Sequence, residues 1–177
     1  MYCQLLAAVY FTAILHSAAG VSPLPSIPFV DGRWHGDIEA GPNGSDFEEC
    51  WASTTFGDGT TLLLAERKDG NWHLQLSNPV WRLPHSRRYA MAALVDFYPR
   101  LRITAEARNQ TLLEIEDLDH ISLLGLIENG HTIDLASDGF DKKYELEGSA
   151  KAIERIRNCF SDQLNAERPA TVDGQGK

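Results

Sequence analysis

The sequence predicts an α+β domain that is mainly antiparallel β, with about eight strands in a sandwich- or barrel-like arrangement and two short helices, the last one C-terminal. Three observations carry that expectation. Apolar and polar residues alternate over most of the stretch between Phe47 and Glu147, the period of a half-buried strand. Turn-forming residues punctuate this alternation at short intervals, so consecutive strands join as hairpins rather than through crossover helices. The period lengthens to that of a helix only around Ile121–Ile127 and again around Ile153–Phe160.

At the N-terminus, Leu5 to Leu15 is an apolar run of eleven residues with no basic residue before it. As a helix it would span about 16 Å, against roughly 30 Å for a bilayer core. Ser17 and Ala19 then stand at the −3 and −1 positions of a signal-peptidase site, so residues 1–19 read as a signal peptide cleaved before Gly20. A buried core helix is the alternative. Residues 20–45 are rich in Pro, Gly and Ser and read as an extended segment, with Trp34 available to tuck it onto the domain. The ordered domain is expected over residues 46–162.

Within it, Phe47 to Phe56 forms the first expected strand and carries Cys50; Asp58-Gly59-Thr60 turns into a second, Thr61 to Arg67. Lys68-Asp69-Gly70-Asn71 is a hairpin signal, because Asp-Gly accepts the positive φ of such turns. In the following strand Trp72, Leu74 and Leu76 share one face, with His73, Gln75 and Ser77 on the other. Asn78-Pro79 ends it. Further strands are expected over Tyr89–Phe97, Leu101–Ala107, Thr111–Glu116, Thr132–Ala136 and Lys143–Glu147. A short helix over His120–Asn129 would be capped by Asp119 and stopped at Gly130, with a strand as the alternative. Ser149 opens the last helix, whose apolar stripe is Ile153, Ile156 and Phe160, and residues 163–177 read as a disordered tail.

The net charge of −9 makes a surface that repels nucleic acid and anionic lipid as a whole. Loss of the leader removes Cys3 and leaves Cys50 and Cys159, an even pair in an oxidising compartment. A bridge between them is expected, with two buried free thiols as the alternative. Closing a loop of this length would stabilise the fold by about 4–5 kcal/mol in the chain-entropy model.

Catalytic signatures are sparse. The histidines show no H-x-H or H-E-x-x-H spacing and the cysteines no C-x-x-C, so neither a metal nor another cofactor is expected. There is no G-x-S-x-G elbow and no Gly-rich phosphate loop. The local anomaly is cationic. Arg82, Arg87, Arg88, Arg100 and Arg102 crowd a stretch whose one acid is Asp96, with His85 in the same loop and Tyr89 beside it. If these side chains converge they make an anion-seeking patch, since arginine suits bidentate contacts to carboxylate or phosphate. Trp81, Tyr89 and Tyr98 could anchor an interface there. The alternative is that the arginines neutralise the chain's own acids.

Cys50, Asp58-Gly59-Thr60, Asn71-Trp72-His73-Leu74, Asn78-Pro79-Val80-Trp81 and the Tyr144–Ile153 segment closing on Cys159 together resemble small exported domains of Gram-negative bacteria. The run Ile121 to Gly130, followed by a strand, Leu146-Glu147-Gly148 and a helix bearing Ala152 and Ile153, more distantly resembles the invasion-associated locus B family. That resemblance implies a periplasmic or secreted, non-enzymatic β-rich domain without an assigned active site. The expected function is therefore binding or accessory, directed at a protein or envelope partner through the Trp81–Arg102 face. A small periplasmic hydrolase with dispersed catalytic residues is the alternative. A shallow aromatic surface rimmed by arginines would favour the first. A pocket where His73, His85 or His120 meets a carboxylate and a hydroxyl would favour the second.

Overall fold

A computed structural model describes residues 28–40 and 47–167; residues 1–19, read as a signal peptide, and the end of the chain from residue 168 lie outside the described residues. Ten strands and two helices follow in the order β1 (Phe29–Asp31), β2 (Trp34–Ala40), β3 (Phe47–Thr55), β4 (Thr61–Arg67), β5 (Trp72–Ser77), β6 (Arg88–Val95), β7 (Leu101–Asn109), β8 (Leu112–Ile115), α1 (Leu123–Asn129), β9 (Thr132–Ser137), β10 (Phe140–Glu145) and α2 (Ser149–Glu167). All the strands belong to one sheet, ordered β1-β2-β3-β4-β5-β8-β7-β6-β9-β10. Every neighbouring pair in it is antiparallel.

The expectation of an α+β, mainly antiparallel domain with a C-terminal helix is met, but the described residues form ten strands rather than eight. The two additional strands, β1 and β2, fall in the segment read as an extended linker. Gly32, at φ +61°, makes the turn between them, and β2 then pairs with β3. Gly36 sits where a Cβ would lie 2.3 Å from the Trp51 carbonyl oxygen and 2.4 Å from the Phe29 ring. The glycine content that suggested an irregular segment thus serves a close approach of strands.

Three other boundaries differ from expectation by three residues or more. β10 starts at Phe140 rather than Lys143, because Gly139 at φ +77° closes a tight turn that pairs Phe140 with Ser137. α1 starts at Leu123, because positive φ at Asp117 and Ser122 interrupts the helix that Asp119 was expected to cap. α2 is not short: it runs 19 residues and extends past Asp162 into the expected tail, where Gln163 is buried.

The sheet is one open ladder rather than a closed barrel, with β1 and β10 at its margins. It rolls on itself and is fastened by side chains. The Tyr144 ring of β10 packs 4.7 Å from Phe56, and Lys142 pairs with Asp58 at 3.2 Å. The buried Trp34 donates its indole N–H to the Glu147 carbonyl at 2.9 Å, so β2 meets the chain leaving β10. Inside the roll, Leu62, Leu64, Leu74, Leu76, Ile133 and Leu135 form one core with α1 and the Ile153 and Ile156 face of α2. Ser149 does not cap its own helix; its hydroxyl donates to the Ile127 carbonyl at 2.7 Å and joins α2 to α1. The Cys50–Cys159 bridge is present, tying β3 to α2 with Cα atoms 6.1 Å apart.

Candidate binding face

The loop between β5 and β6 is built around Asn78. Its buried amide donates to the Thr60 hydroxyl at 3.0 Å and the Asp58 carbonyl at 3.2 Å, while its oxygen accepts the Val80 N–H. Farther on, the Leu83 N–H donates to the Gln110 carbonyl and the Ser86 N–H to that of Ala107, which strap the loop along the β7–β8 hairpin. The Trp81 ring is thereby held edge-on to Phe140 at 5.8 Å.

Strand alternation does the rest. In β6 the side chains of Tyr89 and Met91 turn inward, and those of Arg88 and Ala90 outward. The inward pair, with Leu113 of β8, floors a groove of about 220 Å3 at the mouth of the roll, walled by Trp81, Leu83 and Phe140. Arg82, Ser137, Asp138 and Gly139 complete its lining. The Arg82 guanidinium folds back to donate to the carbonyls of Pro79 and Trp81 at 3.1 and 2.6 Å. Arg87 lies over the Tyr89 ring, 5.1 Å from its centroid.

The seven side chains singled out in the sequence therefore part company. Arg82 and Tyr89 line the groove, Arg87 lies over the Tyr89 ring, and His85 is exposed in the same loop. Arg88 turns to the outer face and pairs with Glu106 at 3.4 Å. Arg102 lines a polar hollow on that same outer face with Arg88, Arg108 and Glu116. Arg100 is exposed beyond the far end of β6, past the fully exposed Phe97.

A second cluster gave little signal in the sequence. On the outer face His73 is wholly buried, with Nε2 3.5 Å from Glu49 and 3.8 Å from Glu114. Glu114 is buried and accepts from Arg67 at 2.6 Å, from Arg108, and from Gln75 at 3.3 Å. Burial pushes the His73 imidazole down to about 4, and the Arg67 cation adds to this. Burial likewise pushes the Glu49 carboxyl up to about 7, reinforced by Glu39 and opposed by Arg67. At Glu114 burial acts upward, but the bonds from Arg108 and Gln75 hold the carboxyl below its ordinary range. His73 thus meets carboxylates beneath a covering layer, whereas the Ser53 hydroxyl pairs with a different histidine, His35, at 3.1 Å. Among the described residues no group of three or more His, Cys, Asp or Glu side chains could hold a metal ion.

No protein-family model matches the sequence, and no curated protein matches it. Among solved structures, invasion associated protein B from Bartonella henselae is similar at a TM-score of 0.56 and 14% identity, over 77% of this chain and 99% of that one. The two share a fold. Among the described residues no helix is long and apolar enough to cross a membrane.

Proposed function

We propose that this chain is an exported, non-enzymatic binding or accessory protein that engages an acidic protein or envelope partner by seating an apolar side chain in the Trp81–Phe140 groove. The observation that supports it is an apolar floor lined by Arg82, with Arg87 against the Tyr89 ring, in a chain whose net charge is −9. Buried aromatic anchors beside arginine are the usual carriers of interface energy. Cations on an acidic protein favour acidic partners and repel further copies of the same surface. The bridge of Cys50 to Cys159 supports an oxidising compartment, periplasmic or secreted, and so does the fold shared with a protein named for invasion.

The test is an envelope-fraction capture on the mature chain, read by mass spectrometry, with paired charge reversals. Arg82→Glu with Arg87→Glu is expected to release the captured partner, while Arg88→Glu with Arg102→Glu on the outer face retains it. Equal capture by both variants would dismiss the groove.

A further inference from the structure

Glu66 is the one acid on the core-facing row of β4, in line with Leu62 and Leu64. In the register Cys50 stands directly opposite it on β3 and Trp72 directly opposite on β5. Opposed residues on one face of an antiparallel pair have Cβ atoms about 4.5–5.5 Å apart, so Glu66 is the cross-strand neighbour of the bridged Cys50. Glu66 is only 9% exposed, and its Oε2 has no hydrogen-bond partner. The groups that face it are Trp72, which hydrogen-bonds it, Asp119, which repels it, and Arg157 of α2. Arg157 is itself committed to Glu128 of α1 through two bonds. Burial, the largest influence, pushes the carboxyl up to about 7, so it retains its proton close to neutrality.

The bridge beside it is asymmetric. Cys50 is wholly buried, whereas Cys159 is only partly covered. Cys159 is therefore the more open end of the bridge to an external thiolate, and attack there would make Cys50 leave as a thiolate in apolar surroundings, where an unpaired charge is costly.

We propose that the Cys50–Cys159 bridge undergoes exchange with small thiols at its Cys159 end, and that Glu66 is the proton donor to the departing Cys50 sulfur. The thiolate forms a bond to the Cys159 sulfur as the bridge breaks, its electron pair passes to Cys50, and the Glu66 proton follows, leaving the Cys50 thiol and the Glu66 carboxylate. A second thiolate then attacks the mixed disulfide, releasing the oxidised small thiol and freeing Cys159. Two small thiols are oxidised and one protein disulfide is reduced.

The experiment follows reduction of the oxidised mature chain, which lacks Cys3, by excess glutathione under native conditions, quenched by alkylation and read by intact mass. Rates are divided by thiolate concentration at each pH. In the unmodified protein the corrected rate constant is expected to fall roughly tenfold or more between pH 6 and pH 8.5, as Glu66 loses its proton. Glu66→Gln should be slow at pH 6 and flat across the range, and Glu66→Asp should restore the slope. The trapped mixed disulfide should map to Cys159. A flat profile in the unmodified protein overturns the role of Glu66, as does an undiminished slope in Glu66→Gln. Glutathione found on Cys50 overturns the direction of attack. If Glu66→Gln fails to fold, the profile and the mapping of the unmodified protein decide alone.

Discussion

Replacing Glu49 with Gln should stabilise the protein at alkaline pH and leave it nearly unchanged at acidic pH. The carboxyl is raised from 4.5 to about 7 in the folded state, chiefly by burial and next by the Glu39 charge. A group whose folded value lies above its unfolded value confers stability that is complete below the unfolded value and lost as pH rises through the folded one. The loss here falls between about pH 4.5 and pH 7. At about 1.4 kcal/mol per tenfold change in proton affinity, full ionisation would cost the folded state about 3–4 kcal/mol. Residual water contact at the carboxyl, whose side chain is 13% exposed, reduces this to ~2 kcal/mol. Glutamine keeps the shape and carries no charge, so the variant should gain ~2 kcal/mol at pH 8.5 and close to nothing at pH 4.5. Urea unfolding of the oxidised protein at both pH values reads the difference directly. An equal effect at the two values would refute the reasoning, because the cost would then lie in packing rather than in ionisation. Below pH 6.5 a separate loss should appear, as His73, depressed to about 4, takes up a proton more readily in the unfolded chain.

Two further outcomes are expected. Trp34→Phe keeps the ring but removes the donor to the Glu147 carbonyl, and should lower stability by about 1–2 kcal/mol, with faster amide exchange in β1 and β2 than elsewhere in the sheet. Gly36→Ala places a Cβ against the Trp51 carbonyl and the Phe29 ring; a loss of about 1–3 kcal/mol is expected in the same unfolding assay, and an unchanged midpoint would show that the hairpin yields freely.

Much of the sheet was legible where two local rules agree. β4 and β5 begin and end at the residues anticipated, because alternation on both sides meets an Asp-Gly turn with Gly70 at φ +83°. β1 is only three residues long, and the alternation of Trp34, Gly36 and Ile38 with His35, Asp37 and Glu39 in β2 was passed over because it lies in a stretch rich in Pro, Gly and Ser; contact with β3 and the Trp34 anchor makes them strands. Trp81, Arg82 and Tyr89 of the groove lie close together in the chain, within the stretch the sequence singles out. Phe140 does not, since the pairing of β9 with β10 delivers it from a distant stretch. Nor does a run of arginines disclose that strand alternation sends Arg88 outward while Tyr89 turns inward. The burial of His73 was hidden for a similar reason. Its covering charges come from β3, β4, β7 and β8, and no local window contains them.

The two margins of the rolled sheet bear on how a partner can bind. One margin is β1, whose three residues offer little ladder to an incoming strand. The other is β10, where Asp141, Lys142 and Lys143 are exposed in succession and Lys142 is already paired with Asp58. Short edges and consecutive charges are what discourage one sheet from annealing to another. A guest peptide that adds itself as an eleventh strand is therefore disfavoured at either margin. The proposed seating of a side chain in the groove calls for no pairing at either margin.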